Sequence, residues 1–136
     1  MFGVAEAVMI LRMAIPVAGP GLDATAQQAA TAMFLHHAGE VIGTSPRLLV
    51  QLPGAAPSGA VPRSQATALL ASYLNDYEEV AVLVESVNAT SSTRGIVQLK
   101  RRYRVPGTTD VRSQAVLLSY ELTGGLWLLT ELRISG

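Results

Sequence analysis

General acid–base chemistry needs a carboxyl or imidazole group that meets a substrate from a sheltered position. The aspartates of this chain are Asp23, Asp76 and Asp110, and each falls in a predicted helix cap or loop rather than on a strand facing a pocket. Among the glutamates, Glu85, Glu121 and Glu131 lie in predicted strands. Beside Trp127 or Tyr103, an apolar surrounding would raise the pKa of such a carboxyl group and let it act as a base. The other reading pairs it with Arg101, Arg102 or Arg133 across a sheet. No catalytic set emerges from these residues.

The only histidines are His36 and His37. Neighbours on a helix point about 100° apart, so the two do not converge on one metal ion. A zinc-type helical site prefers an i, i+4 pair with further ligands. The pair reads instead as one partly buried and one exposed imidazole near a helix C-terminus, where the dipole favours them. There is no cysteine, which removes disulfides, thiolate metal sites, iron–sulfur clusters and thiol nucleophiles. No phosphate-binding glycine loop, serine elbow or internal repeat is present, and no cofactor is expected.

Two further groups of residues call for a reading. Lys100, Arg102 and Arg104 alternate along one strand and form a basic row on one face. An anionic partner would use that row, whereas a solvated outer sheet face would carry it simply to discourage edge pairing. Tyr73, Tyr103, Tyr120 and Trp127 either line an apolar pocket with polar tips, with Glu131 as its carboxylate, or fill a core. Few aromatics (four Tyr, two Phe, one Trp) and a formal net charge of zero argue against nucleic acid.

The elements that must position these residues follow from periodicity. Pro16 to Gly21 is a break, and residues 1–22 read as a leader, either signal-like or an extra helix. Asp23 is the expected cap of a helix over 24–38, whose apolar positions Ala26, Ala29, Ala30, Met33, Phe34 and His37 keep helical spacing. A short helical piece near Glu40–Ile42 and a strand over 47–52 come next. A Pro/Gly-rich loop follows to Pro62, then a second helix over 65–75 capped by Ser64 with Ala66, Leu69, Leu70, Tyr73 and Leu74 on its apolar stripe. Four strands close the chain, over 79–87, 94–105, 111–122 and 126–134, the last two joined at Thr123-Gly124-Gly125. Helices first and a meander last describe an α+β domain over 23–136, with helices on one face of a curved, mainly antiparallel sheet.

Length and composition agree. The 136 residues are 49% hydrophobic and 15% charged, which suits one domain with a buried core and offers no stretch long enough to span a bilayer. The stretch from Arg94 to Arg112 carries a net charge of about +5, balanced by the rest of the chain.

Arg63-Ser64-Gln65-Ala66, followed by Leu69-Leu70 and Tyr73-Leu74, resembles the helix of a bacterial domain-of-unknown-function family in the nuclear transport factor 2-like (cystatin-like) superfamily. Tyr103-Arg104-Val105 and the terminal Glu131-Leu132-Arg133-Ile134 continue the resemblance, which covers roughly residues 23–136. It implies a cone-shaped domain with an interior cavity and frequent dimers through the sheet, and the short segment before Arg47 implies a truncated second helix. Enzymes of that superfamily usually place an Asp, or a His–Asp pair, inside the cone.

The expectation is therefore a non-catalytic binding or interaction module that is a homodimer or meets a protein partner through the sheet face. The alternative is a small-molecule-binding or isomerase- or hydrolase-like enzyme that uses the cone interior and takes a small apolar ligand. A bacterial setting leaves cytoplasm and export to the periplasm or envelope both open.

Overall fold

A computed structural model describes residues 21–56 and 59–136; the leader reading falls, up to residue 20, outside the described residues. Helix α1 spans Leu22–Phe34 and buries Leu22, Ala26, Ala29, Ala30, Ala32 and Met33. Small alanines let it lie close to the sheet. It starts and ends earlier than the sequence predicts. Gly21 is its N-cap, with no capping side chain, and Asp23 sits in the first turn, where a carboxylate still favours the dipole.

The end of α1 has a specific cause. His36 N–H bonds Met33 O at 3.1 Å and His37 N–H bonds Ala32 O at 2.8 Å, the paired return bonds of a Schellman motif. The motif demands a left-handed residue, and His36 takes it with φ 60°. The helix therefore stops two residues before His36, leaving Phe34 and His37 outside the buried stripe.

Helix α2, Ala38–Ile42, is a five-residue remnant that buries Ala38, Val41 and Ile42. Strand β1 spans Arg47–Gln51, and the edge strand β2 is only Val61–Pro62. Pro62 is the N-cap of helix α3, Arg63–Leu74, which buries Ala66, Leu70 and Leu74. Ser64 lies inside the helix and caps nothing. Pro62 has no amide hydrogen to lose at a helix start, and Arg63 N–H is satisfied by Pro46 O at 3.1 Å.

Strands β3, Glu78–Ala89, β4, Arg94–Arg104, β5, Val111–Thr123, and β6, Leu126–Ser135, form the meander. The six-stranded sheet has the order β2-β1-β6-β5-β4-β3, and the β1–β6 pair is its one parallel contact. The β5–β6 turn uses Gly124 and Gly125 at φ 59° and 82°, the two positive values that a tight hairpin of matching twist requires. Register shifts between Glu79 and Ala81, Val84 and Ser86, and Ser119 and Tyr120 bend the strands.

The three helices cover one face of the sheet. The core lies between them, with Val97, Leu99, Val116, Leu118, Leu132 and Ile134 from strands meeting Leu22, Met33, Leu70 and Leu74 from helices. Gly95 permits the closest approach, since a Cβ there would come within 2.5 Å of a Leu22 methyl group. Among the described residues no helix is long and apolar enough to cross a membrane.

Candidate functional site: a buried ion pair inside the cone

Strand β4 alternates cleanly, so Val97, Leu99, Arg101 and Tyr103 all point at the helices. Arg101 is thus delivered to an apolar interior, where its side chain is 0% exposed. A lone charge there would cost several kcal/mol in desolvation. The fold answers it with a carboxylate. Glu79, whose side chain is 3% exposed, lies diagonally across the β3–β4 ladder, opposite Tyr103.

Arg101 Nε–H reaches both oxygens of Glu79 at 2.9 Å, and its Nη2 also donates to Oε1. Its Nη1 donates to Gln114 Oε1 at 2.8 Å, and Gln114 Nε2 donates to the Tyr73 hydroxyl at 2.8 Å. From the end of α1, His36 Nε2 lies 3.1 Å from Glu79 Oε1. A carboxylate only accepts, so that nitrogen carries the proton. Tyr73, Tyr77 and Tyr103 present their rings to the guanidinium at 5.5, 5.3 and 4.6 Å, and the rings touch one another in sequence. Burial raises the Tyr73 pKa above the ordinary phenol value, against the opposing pull of the Gln114 hydrogen bond and the Arg101 charge.

The arrangement closes a region that could have held a substrate. Each Glu79 oxygen has a donor, so neither is left open toward a substrate. The cation is bidentate on its anion and boxed by aromatic faces. Strain at His36 belongs to the same device: a residue with a Cβ accepts a left-handed backbone at the point where its imidazole meets Glu79.

The residues singled out from sequence separate into three places. Tyr73 and Tyr103 meet at Arg101. Tyr120 and Trp127 line a different cleft, beside α1 and the α2–β1 segment. Glu131 joins neither; it lies on the outer sheet face, 2.6 Å from Arg133, so the expected pocket is not one site. The strand glutamates behave as sheet partners elsewhere too, with Glu121 at 3.5 Å from Arg94.

The basic row does face outward. Lys100 and Arg102 are exposed, while Arg104 has Glu78 at 3.5 Å. His36 is partly buried and His37 exposed. The described residues hold no group of three or more metal-ligating side chains.

The sequence singles out neither Glu79 nor Gln114, and it gives the His36/His37 pair only as one partly buried and one exposed imidazole. Arg101 offered a signal, because strict alternation places it on the apolar face between Leu99 and Tyr103. Glu79 offered none. Counting back by twos from the inward Val84 and Val82 sends Glu79 outward, and only the bulge at Val80 turns it in.

No family model and no curated protein matches the chain. Solved structures do. A ketosteroid isomerase-like protein from Erwinia carotovora atroseptica superposes with a TM-score of 0.68 at 19% identity, over 84% of this chain and 92% of that one. The fold is nuclear transport factor 2-like. A cystatin-like domain of unknown function from Nostoc punctiforme gives a TM-score of 0.69 at 13% identity, over 90% and 78%. A DUF4783 family protein from Bacteroides ovatus gives 0.64 at 14%, over 79% and 90%. At such identities the likeness is one of fold, and a nuclear transport factor 2-like fold leaves function to be argued from the residues.

Proposed function

We propose that this chain is a non-catalytic interaction module that self-associates as a homodimer through the outer face of its sheet. The observation that carries this reading is the state of Glu79. It is the buried carboxylate of the interior among the described residues, and Arg101 and His36 hold it on both oxygens. An isomerase- or hydrolase-like reaction in the cone needs a base free to accept a proton, and Glu79 is not free.

Among the described residues, the surface left uncovered is the outer sheet face. Leu83 stands 54% exposed at its β3 edge and Leu49 39% exposed on β1, with Ile96 and Leu117 half-buried between them. Lys100 and Arg102 share the face with Glu85 and Glu131, so a two-fold arrangement can set basic against acidic groups. A formal net charge of zero puts no overall repulsion between copies. Four long strands spaced at sheet distance present on the order of 700 Å², close to what each partner contributes to a standard stable interface.

Sedimentation equilibrium tests this. The wild-type chain is expected at twice the monomer mass at micromolar concentration. The L83E/L117E variant is expected as a folded monomer with an unchanged circular dichroism spectrum. A wild-type monomer at 100-fold higher concentration, or a dimer that survives both substitutions, would sink the reading.

A further inference from the structure

The second cleft lies at the other end of α1 from His36. It encloses about 290 Å³ between Thr25, Gln28 and Ala29 of α1, the segment from Glu40 to Thr44, Tyr120 of β5, and Leu126–Leu129 at the start of β6. Its walls are mostly apolar. Trp127 flanks it, half-buried and packed on the core.

One group in this cleft is unexplained by packing. Tyr120 is only 5% exposed, yet among the described residues its hydroxyl has no hydrogen-bond partner. Buried tyrosines normally pair that group, because leaving it unpaired forfeits a hydrogen bond made to water in the unfolded chain. Ser45 Oγ is the buried polar side-chain atom sealed from solvent without a partner among the described residues. Tyr120, by contrast, lines the cleft.

We propose that this cleft is a binding site for a small, neutral, single-ring aromatic molecule bearing a carbonyl oxygen. The oxygen accepts from Tyr120, and the ring lies along Trp127. Each element of that class comes from the lining. Burial holds the Tyr120 hydroxyl protonated well above the ordinary phenol range, so at neutral pH it donates. The volume sits at the lower end for ligand pockets, enough for one ring with a short substituent. Among the described residues no Lys, Arg or His lines the cleft, and Glu40 does; a carboxylate or phosphate ligand would be buried there without a counter-charge. The site is independent of the outer sheet face and of the Arg101 cluster.

The chain has a single tryptophan, so the Trp127 indole N–H is one resolved resonance. Acetophenone, ethylbenzene and benzoate are titrated into the full-length protein while that resonance is followed. Acetophenone is expected to shift it with saturation, and the conservative Y120F variant to weaken acetophenone three- to tenfold. Ethylbenzene, which has no acceptor, should bind both proteins within twofold of each other. Benzoate should bind at least tenfold more weakly than acetophenone. The proposal fails if acetophenone leaves the indole resonance unmoved, if Y120F binds acetophenone as wild type does, or if benzoate binds as tightly as acetophenone.

Discussion

Arg101 Nε lies 2.9 Å from both carboxylate oxygens of Glu79, although the two residues are not opposite each other on the β3–β4 ladder. Glu79 is opposite Tyr103, and Arg101 is opposite Val82. The long guanidinium arm bridges that diagonal inside the cone, and three tyrosine rings enclose it. The pair is thus both buried and fully supplied with partners, which is the condition under which buried charge is tolerated.

Removing one partner is expected to cost far more than removing both. E79A leaves a buried guanidinium unpaired and should lose about 3–5 kcal/mol of stability. E79L/R101M, of similar volume, should lie within about 2 kcal/mol of wild type on either side. Urea denaturation of the two variants measures the difference. Equal losses in both would mean that the cluster acts through shape and not through charge.

His36 sets two local preferences against each other, and they can be separated. H36A loses the hydrogen bond to Glu79 and keeps the Cβ that wild type already places in the left-handed region, so the lost bond lowers its stability and the strain stays as it was. H36G also loses the bond but relieves the backbone. The glycine variant should therefore be the more stable of the two by about 1 kcal/mol, and less stable than wild type if the Glu79 contact outweighs the strain. Thermal midpoints decide both comparisons. A glycine variant above wild type would show that strain dominates.

The same competition explains what could be read from the chain and what could not. Every helix and strand except the two-residue β2, which lies in the segment read as a loop, existed in the pattern of apolar residues, because binary periodicity reports which face is buried. Helix ends were less legible. The α1 stop needed a glycine-like residue at 36, and a histidine disguised it, while Gly39, just past the expected helix over 24–38, offered a false one. Tyr73 and Tyr103 meet at Arg101, since both point from apolar stripes. Tyr120 and Trp127 share the interior face with them but belong to another cleft, which depends on the path of α2 and not on strand alternation. Glu131 was misplaced because the register shift after Ser119 changes which β6 residues face inward. Bulges add one residue to a count of twos, and no pattern of residue types announces them.

Alkaline pH should expose the burial of Tyr120. Its folded-state pKa is raised by desolvation above the ordinary phenol value. Below the unfolded value both states hold the proton, and the contribution to stability is complete. Above it the unfolded chain releases a proton that the folded chain keeps, so stability falls as pH rises toward the folded value. The slope approaches about 1.4 kcal/mol per pH unit for one such group. Denaturation midpoints measured from pH 8 to pH 11.5 should decline for wild type and decline less steeply for Y120F. Y73F should flatten the curve less, because Arg101 and Gln114 favour the Tyr73 phenolate. At neutral pH Y120F should match or exceed wild-type stability, since it removes a buried hydroxyl that has no partner among the described residues. A Y120F protein clearly weaker than wild type at pH 7 would mean that the hydroxyl is already bonded, and the cleft would lose its argument for a ligand.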